Sequence, residues 1–142
     1  MRVCVGNVVF EAAHYTPVNN VSQLHGHTFT VSVCVEGGLR EDFMVVDFLK
    51  LKELVENIVE RYRYSLIVPK KDLEELDIKG PFKVKLVILE YPQATAEAIA
   101  MSILDELVTV FKSLNMEVGV VVKVFEGRDN YVETSTTVTQ RK

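Results

Sequence analysis

Hydrophobic positions open the chain as a run rich in Val and Phe from Arg2 to Ala13, and return at His27 to Val35, where Phe29, Val31, Val33 and Val35 alternate strictly with polar neighbours. Period-two alternation lines one face of an extended chain, so both segments predict β-strands. Between them "YTPVNNVSQ" carries Pro, Asn and Ser and predicts a loop long enough to be a site, and "EGG" at Glu36 to Gly38 ends the second strand. The period then changes. Asp47 can cap a helix whose apolar positions Phe48, Leu51, Leu54, Val55, Ile58 and Val59 recur at three and four residues, running to about Tyr62.

Punctuation by Pro69, Gly80 and Pro81 makes "YSLIVPKKDLEELDIKGP" read as loop with one helical turn, leading into a strand at Lys83 to Leu89. From Thr95, with Glu97 just inside, Ile99, Ile103, Leu104, Leu107, Val110, Phe111 and Leu114 trace one helical stripe that Asn115 closes. Two last strands, Gly119 to Phe125 and Tyr131 to Thr139, flank the turn "EGRDN". This order predicts an α+β fold: an antiparallel β-sheet with two helices on one face. The last strand is mostly Thr, Ser and Glu, too polar to lie between two layers, so one side of the sheet should meet water or another subunit.

Composition narrows the partners. The 142 residues, 48% hydrophobic and 25% charged, suit a single domain over 1–142 with a real core. A net charge of −4 without a Lys/Arg block beyond Lys70-Lys71 gives no footing for nucleic acid or an anionic membrane, which leaves small molecules as the expected partners. No apolar run reaches membrane length and the amino terminus lacks a signal-peptide pattern, so a cytoplasmic location is expected. In that compartment Cys4 and Cys34 read as small buried thiols and not as a disulfide.

Three histidines are the candidate chemistry. His25 and His27 lie two apart at the head of a strand and point to the same side, with Gly26 letting the backbone pass close, and His14 ends the preceding strand. If the two strands pair as a hairpin, three imidazoles face one point and leave a fourth position open, the pattern of catalytic zinc. An HxH at a strand start is also a common accident, and spacing alone leaves both readings standing.

"FEAAH" at Phe10 to His14, "LHGHTF" at Leu24 to Phe29, "MVVDFLKLK" at Met44 to Lys52, "TAEAIA" at Thr95 to Ala100 and "VFEGRDNY" at Val124 to Tyr131 occur in an order that resembles the 6-pyruvoyl-tetrahydropterin and 6-carboxytetrahydropterin synthase family. The resemblance implies a tunnelling fold, in which protomers join their sheets into a barrel, two trimeric rings stack into a homohexamer, and sites lie between subunits. It implies Zn(2+) held by His14, His25 and His27, a pterin edge gripped by Glu126, and substrate-binding roles for Thr95 and Glu97. Glu126 also has a physical case, since a strand-end carboxylate offers two acceptors to paired N–H donors; its alternative is a solvated turn residue. Family members act on 7,8-dihydroneopterin triphosphate, with zinc as Lewis acid and a cysteine thiolate, helped by an Asp-His pair, moving protons.

That proton-moving half is missing. Val21 and Asn19 occupy the two places where family members keep the cysteine, Ser22 is a poor base, and "TPVNNVSQ" holds no carboxylate. Arg63 and Tyr64 stand in place of the Asp-His pair, Ala94 in place of a Pro, and Gly127 in place of a Thr. One reading keeps a lyase acting on a pterin, with metal-bound hydroxide or Tyr64 moving protons, although a Tyr at a helix end commonly just packs. A second is a non-catalytic module that binds zinc and a pterin, and a third, an ordinary zinc hydrolase, would not need Glu126.

Overall fold

The computed structural model describes residues 1–18 and 21–140. Six strands form one sheet in the order β6-β5-β1-β4-β7-β8, with β1 at Arg2–His14, β4 at His25–Glu36, β5 at Ser65–Pro69, β6 at Lys85–Leu89, β7 at Gly119–Glu126 and β8 at Asn130–Thr137. Helices α1 (Phe48–Glu60) and α2 (Ala96–Ser113) pack against each other and onto the sheet, α1 over β1 and α2 over β7 and β8. The fold is α+β, with two helices on one face. Phe10, Phe29, Val31, Val33, Val122 and Val124 fill the core from the sheet, and Leu51, Val55, Ile103 and Leu107 fill it from the helices.

Both helix starts are the predicted ones. Asp47 Oδ1 accepts from the Leu49 and Lys50 amides at 2.7 and 3.3 Å, and Thr95 Oγ1 accepts from the Ala98 amide at 3.2 Å, each satisfying N–H groups left over at a helix start. Helix α1 stops at Glu60, and Tyr62 beyond it is fully buried with its hydroxyl 2.8 Å from Ser102 Oγ of α2. Asn115 ends α2 in the left-handed region at φ 55°, which turns Leu114 off the predicted stripe and into solvent.

Four features differ from the sequence reading. Strands β1, β4, β7 and β8 are antiparallel neighbours, but β5 joins β1 and β6 joins β5 in parallel, so the sheet is mixed. Strand β5 lies in the stretch read as loop, because five residues ending in proline are too few to show a period, even though Ser65, Ile67 and Val68 are buried. The predicted helical turn follows as a 3-10 turn at Lys70–Glu75. Within the predicted loop, β2 (Pro17–Val18) and β3 (Val21–Ser22) pair as a small ribbon whose tip, Asn19 and Asn20, lies outside the described residues.

The last difference is a correction: Cys4 and Cys34 are joined as a disulfide. Carried back from the His14–His25 pair without interruption, the register would set Cys4 against Val35. A bulge in which Gly6 and Asn7 oppose Ser32 shifts it by one residue and brings Cys4 opposite Cys34. Asn7 takes the left-handed φ of 57° there.

No helix among the described residues is long and apolar enough to cross a membrane. The 30-residue separation of the bridged cysteines predicts that Cys4→Ser lowers unfolding free energy by about 3 kcal/mol through a freer unfolded chain. Urea titrations of oxidised, reduced and Cys4→Ser protein check this, with the reduced and mutant curves expected to coincide.

Candidate metal centre

The sequence dictates the centre through strand geometry. His14 sits opposite His25 and Ala12 opposite His27, so side chains from the end of β1 and the start of β4 emerge on the same, helix-covered face. Phe29, paired with Phe10 and stacked on it at 4.9 Å, forms the floor and presents its ring to His14 and His27 at centroid distances of 5.6 and 5.7 Å. The three imidazoles meet edge to face at 4.6 to 5.3 Å.

Backbone carbonyls fix the outer nitrogens of two of the rings. His14 Nδ1 donates to the Ala94 carbonyl and His25 Nδ1 donates to the Gln23 carbonyl, both at 2.7 Å. Because a carbonyl only accepts, those Nδ1 atoms carry the protons and the Nε2 lone pairs face the cluster. His14 is 1% exposed and its Nε2 makes no hydrogen bond. Burial holds this imidazole below its ordinary pKa; its bond to Ala94 and the Glu126 carboxylate oppose that shift, and His25 and His27 reinforce it. A buried, neutral, orphaned imidazole nitrogen with a carbonyl behind it is the condition a metal ligand needs.

Glu126 belongs to this cluster. Its backbone is in register with Phe29, and its Oε1 lies 2.7 Å from His27 Nε2 and 3.4 Å from His14 Nε2. One ligand atom from each of His14, His25, His27 and Glu126 lies within 4.8 Å of the others. Neutral imidazoles and a carboxylate suit zinc, iron or nickel equally.

Three cavities open beside the cluster. Glu126 lines one of about 250 Å3 together with Ala96, Glu97, Asn130 and Tyr131, so the structure brings Glu97 and Glu126 into one space. His25 borders a second of about 440 Å3, walled by the ribbon residues Val18 and Val21. His27 borders a third of about 520 Å3 with Glu11, Thr28, Tyr64 and Ser65, where Glu11 and Thr28 point to the sheet face opposite the imidazoles. Thr95 lines none of these and acts as the α2 cap, directly after the carbonyl that orients His14.

Val21, at one place of the missing cysteine, is 55% exposed on the ribbon, and Asn19, at the other, lies outside the described residues. Arg63 turns away from the cluster: Nη2 pairs with Glu56 at 3.0 Å, Nη1 with Glu60, and Nε donates to the Val9 carbonyl at 3.2 Å. Tyr64 is 81% exposed with φ 52°, an uncommon conformation for a bulky residue, held by its amide donating to the Glu11 carbonyl at 2.7 Å. Tyr15, next to His14, donates to Asp72 Oδ2 at 2.7 Å; burial and then that bond push its pKa up to about 12, which keeps it protonated at neutral pH.

Two features escaped sequence reasoning. The Ala94 and Gln23 carbonyls orient the rings through backbone atoms, which leave no residue-type signal. Glu11 supplies a carboxylate to the third cavity, and its only signal was its place inside "FEAAH".

An α+β sheet here gathers three imidazoles and a carboxylate at one strand end, a set that could hold a metal ion beside a cavity. The family model for 6-pyruvoyl tetrahydropterin synthase matches residues 5–137, and the chain belongs to that family. A putative 6-carboxy-5,6,7,8-tetrahydropterin synthase from Archaeoglobus fulgidus is 30% identical over 125 residues, covering 87% of each chain. A dihydroneopterin monophosphate aldolase from Pyrococcus furiosus is 45% identical over 51 residues, covering 36% of this chain and spanning only 44% of the aldolase's length. In fold, the 6-pyruvoyl tetrahydropterin synthase of Plasmodium falciparum superposes with a TM-score of 0.79 at 23% identity, covering 97% of this chain and 98% of its own.

Metal analysis of purified protein should find one ion per chain, and His14→Ala should lose it while retaining the far-ultraviolet circular dichroism of the fold. Wild-type protein free of metal after incubation with zinc, iron or nickel would contradict the assignment.

Proposed function

We propose that the chain is a zinc-dependent lyase acting on a 7,8-dihydroneopterin phosphate, with proton transfer rearranged relative to the 6-pyruvoyl and 6-carboxy enzymes. The observation that carries this reading is the convergence of His14, His25, His27 and Glu126, with the orphaned His14 Nε2 inside it, beside cavities that hold further carboxylates. Membership of the family supports a pterin-processing lyase, and the similarity to the aldolase favours carbon–carbon cleavage over isomerisation. His14, His25 and His27 would hold the ion through Nε2; when bound it acts as a Lewis acid on side-chain oxygens of the substrate.

The protein's own groups do the rest. Glu126 and Glu97 accept the N–H donors along the pterin edge, a charge-assisted match that fixes the ring. Aldol cleavage needs a proton removed from the second side-chain hydroxyl and one delivered to the first side-chain carbon as the bond between the two carbons breaks. It yields 6-hydroxymethyl-7,8-dihydropterin and a phosphorylated glycolaldehyde. Tyr64, which lines the cavity that His27 borders, is the group assigned to one of these proton movements, with water serving the other. No thiolate is required, which accommodates Val21. We infer further that it works as one domain in a homo-oligomer, a trimer or dimer of trimers, in the cytoplasm.

The alternative, a zinc- and pterin-binding module without turnover, draws on the exposed Val21 where family members keep their nucleophile and on Arg63 turned toward α1. Product analysis by mass after incubation with 7,8-dihydroneopterin monophosphate and triphosphate separates the two. The hydroxymethyl product is expected and the 6-pyruvoyl product is not; binding without any product would leave the module. Tyr64→Phe should lower kcat by about 10²- to 10⁴-fold with KM little changed, and an unchanged kcat would remove Tyr64 from the proton path.

A further inference from the structure

Glu126 stands on the wall between two spaces. On one side its Oε1 lies 2.7 Å from His27 Nε2 and 3.4 Å from His14 Nε2. On the other, the same residue lines the cavity of about 250 Å3 shared with Ala96, Glu97, Asn130, Tyr131 and Val132. Its backbone is held on both flanks, in register with Phe29 of β4 and Asn130 of β8, and the next amide, Gly127 N–H, donates to the Thr28 carbonyl at 3.0 Å. The carboxylate therefore reaches either side only by turning its own side-chain torsions. A paired N–H edge engages both oxygens through the forward-facing lone pairs that an ion among the imidazoles would also use, so the two partners compete for one carboxylate.

We propose that Glu126 is an exchangeable fourth metal ligand: in the ligand-free protein its carboxylate closes the three-imidazole set, and a pterin ring seated in the adjacent cavity hydrogen-bonds the same carboxylate and draws it off the ion. The proposal rests on the pterin-binding reading above and adds a regulation to that site. Three imidazoles leave a position for water or substrate, whereas three imidazoles and a carboxylate fill a tetrahedron. An anionic donor also offsets part of the ion's charge, so the closed set is the weaker Lewis acid. Seating the ring would then open the position and restore the acidity in the same event, and only metal–oxygen bonds would exchange. The four ligand atoms that the closed set would use already lie within 4.8 Å of one another.

Cobalt(II) substitution of the full chain tests this through visible absorption, which is strong for four-coordinate cobalt and weak at higher coordination numbers. Wild-type protein should show the four-coordinate spectrum. Glu126→Gln, nearly isosteric at a half-exposed strand end, should show weaker, shifted bands and bind cobalt at least about tenfold less tightly. Saturating 7,8-dihydroneopterin, its binding followed by calorimetry, should move the wild-type spectrum in the same direction. Identical spectra and cobalt affinities for wild type and Glu126→Gln would overturn the proposal, and so would a wild-type spectrum indifferent to calorimetrically bound dihydroneopterin. If Glu126→Gln alters the cobalt spectrum but calorimetry detects no dihydroneopterin binding, the metal-ligand role of Glu126 is supported and the pterin reading fails instead.

Discussion

The antiparallel register between β1 and β4 is the constraint on which everything else in this molecule depends. It sets His14 opposite His25 and Ala12 opposite His27, which is what makes three imidazoles distant in sequence into one cluster. A slip of one residue would turn every side chain of a strand to its other face, so the register must be pinned, and two features pin it. Phe10 and Phe29, directly paired and stacked, fit only in this alignment. The bulge at Gly6 and Asn7 then changes which parity of β1 faces the core: Val5 is buried before it, and Val8, Phe10, Ala12 and His14 are buried after it. Without the extra residue, the pattern set by Val5 would continue through Asn7, Val9, Glu11 and Ala13, and His14 would face away from the helices.

Legibility followed physical range. Alternation in His27 to Val35, the stripes of both helices, and the Asp47 and Thr95 caps are local properties of a few residues, and the structure carries them at nearly the expected positions. Strand β5 was not legible because its partners β1 and β6 come from distant segments, and parallel pairing leaves no turn signal between neighbours. The disulfide depended on one bulge residue that shifts the facing partner of Cys4 from Val35 to Cys34. At the site, the convergence of imidazoles could be reasoned from strand periodicity. The approach of Glu126 to His27 could not, since it follows from β7 lying beside β4 with Glu126 opposite Phe29. The carbonyls of Ala94 and Gln23 were invisible for a different reason: any residue at those positions presents the same group.

The site divides along mechanical lines. The residues that could hold a metal sit on β1, β4 and β7, long strands whose mutual pairing over-determines every backbone position, and a backbone carbonyl or a carboxylate lies against each ring. The positions where the resemblance expects proton-moving groups belong to connections: the ribbon that carries Val21, and the left-handed turn that carries Tyr64 between α1 and β5. Side chains in the first half cannot change identity without breaking a register or orphaning a buried group, whereas those in the second can change at little cost to the fold. This explains how a chain can keep the family's imidazoles while the thiol and the Asp-His pair have become Val21, Arg63 and Tyr64.

That division also makes Glu126 the pivotal side chain. It is a carboxylate rooted on a long strand that both lies against the imidazoles and borders a cavity, so under the proposed exchange it would report to the metal whether that cavity is filled. A loop carboxylate could not do this, because its own motion would exceed the small displacement separating the two states. Coupling needs a fixed backbone and a side chain with two alternative partners, and β7 supplies the first while the imidazoles and the cavity supply the second. Under the proposed exchange, seating the substrate would itself set the ion's electrophilicity and so limit side reactions with water without an additional lid.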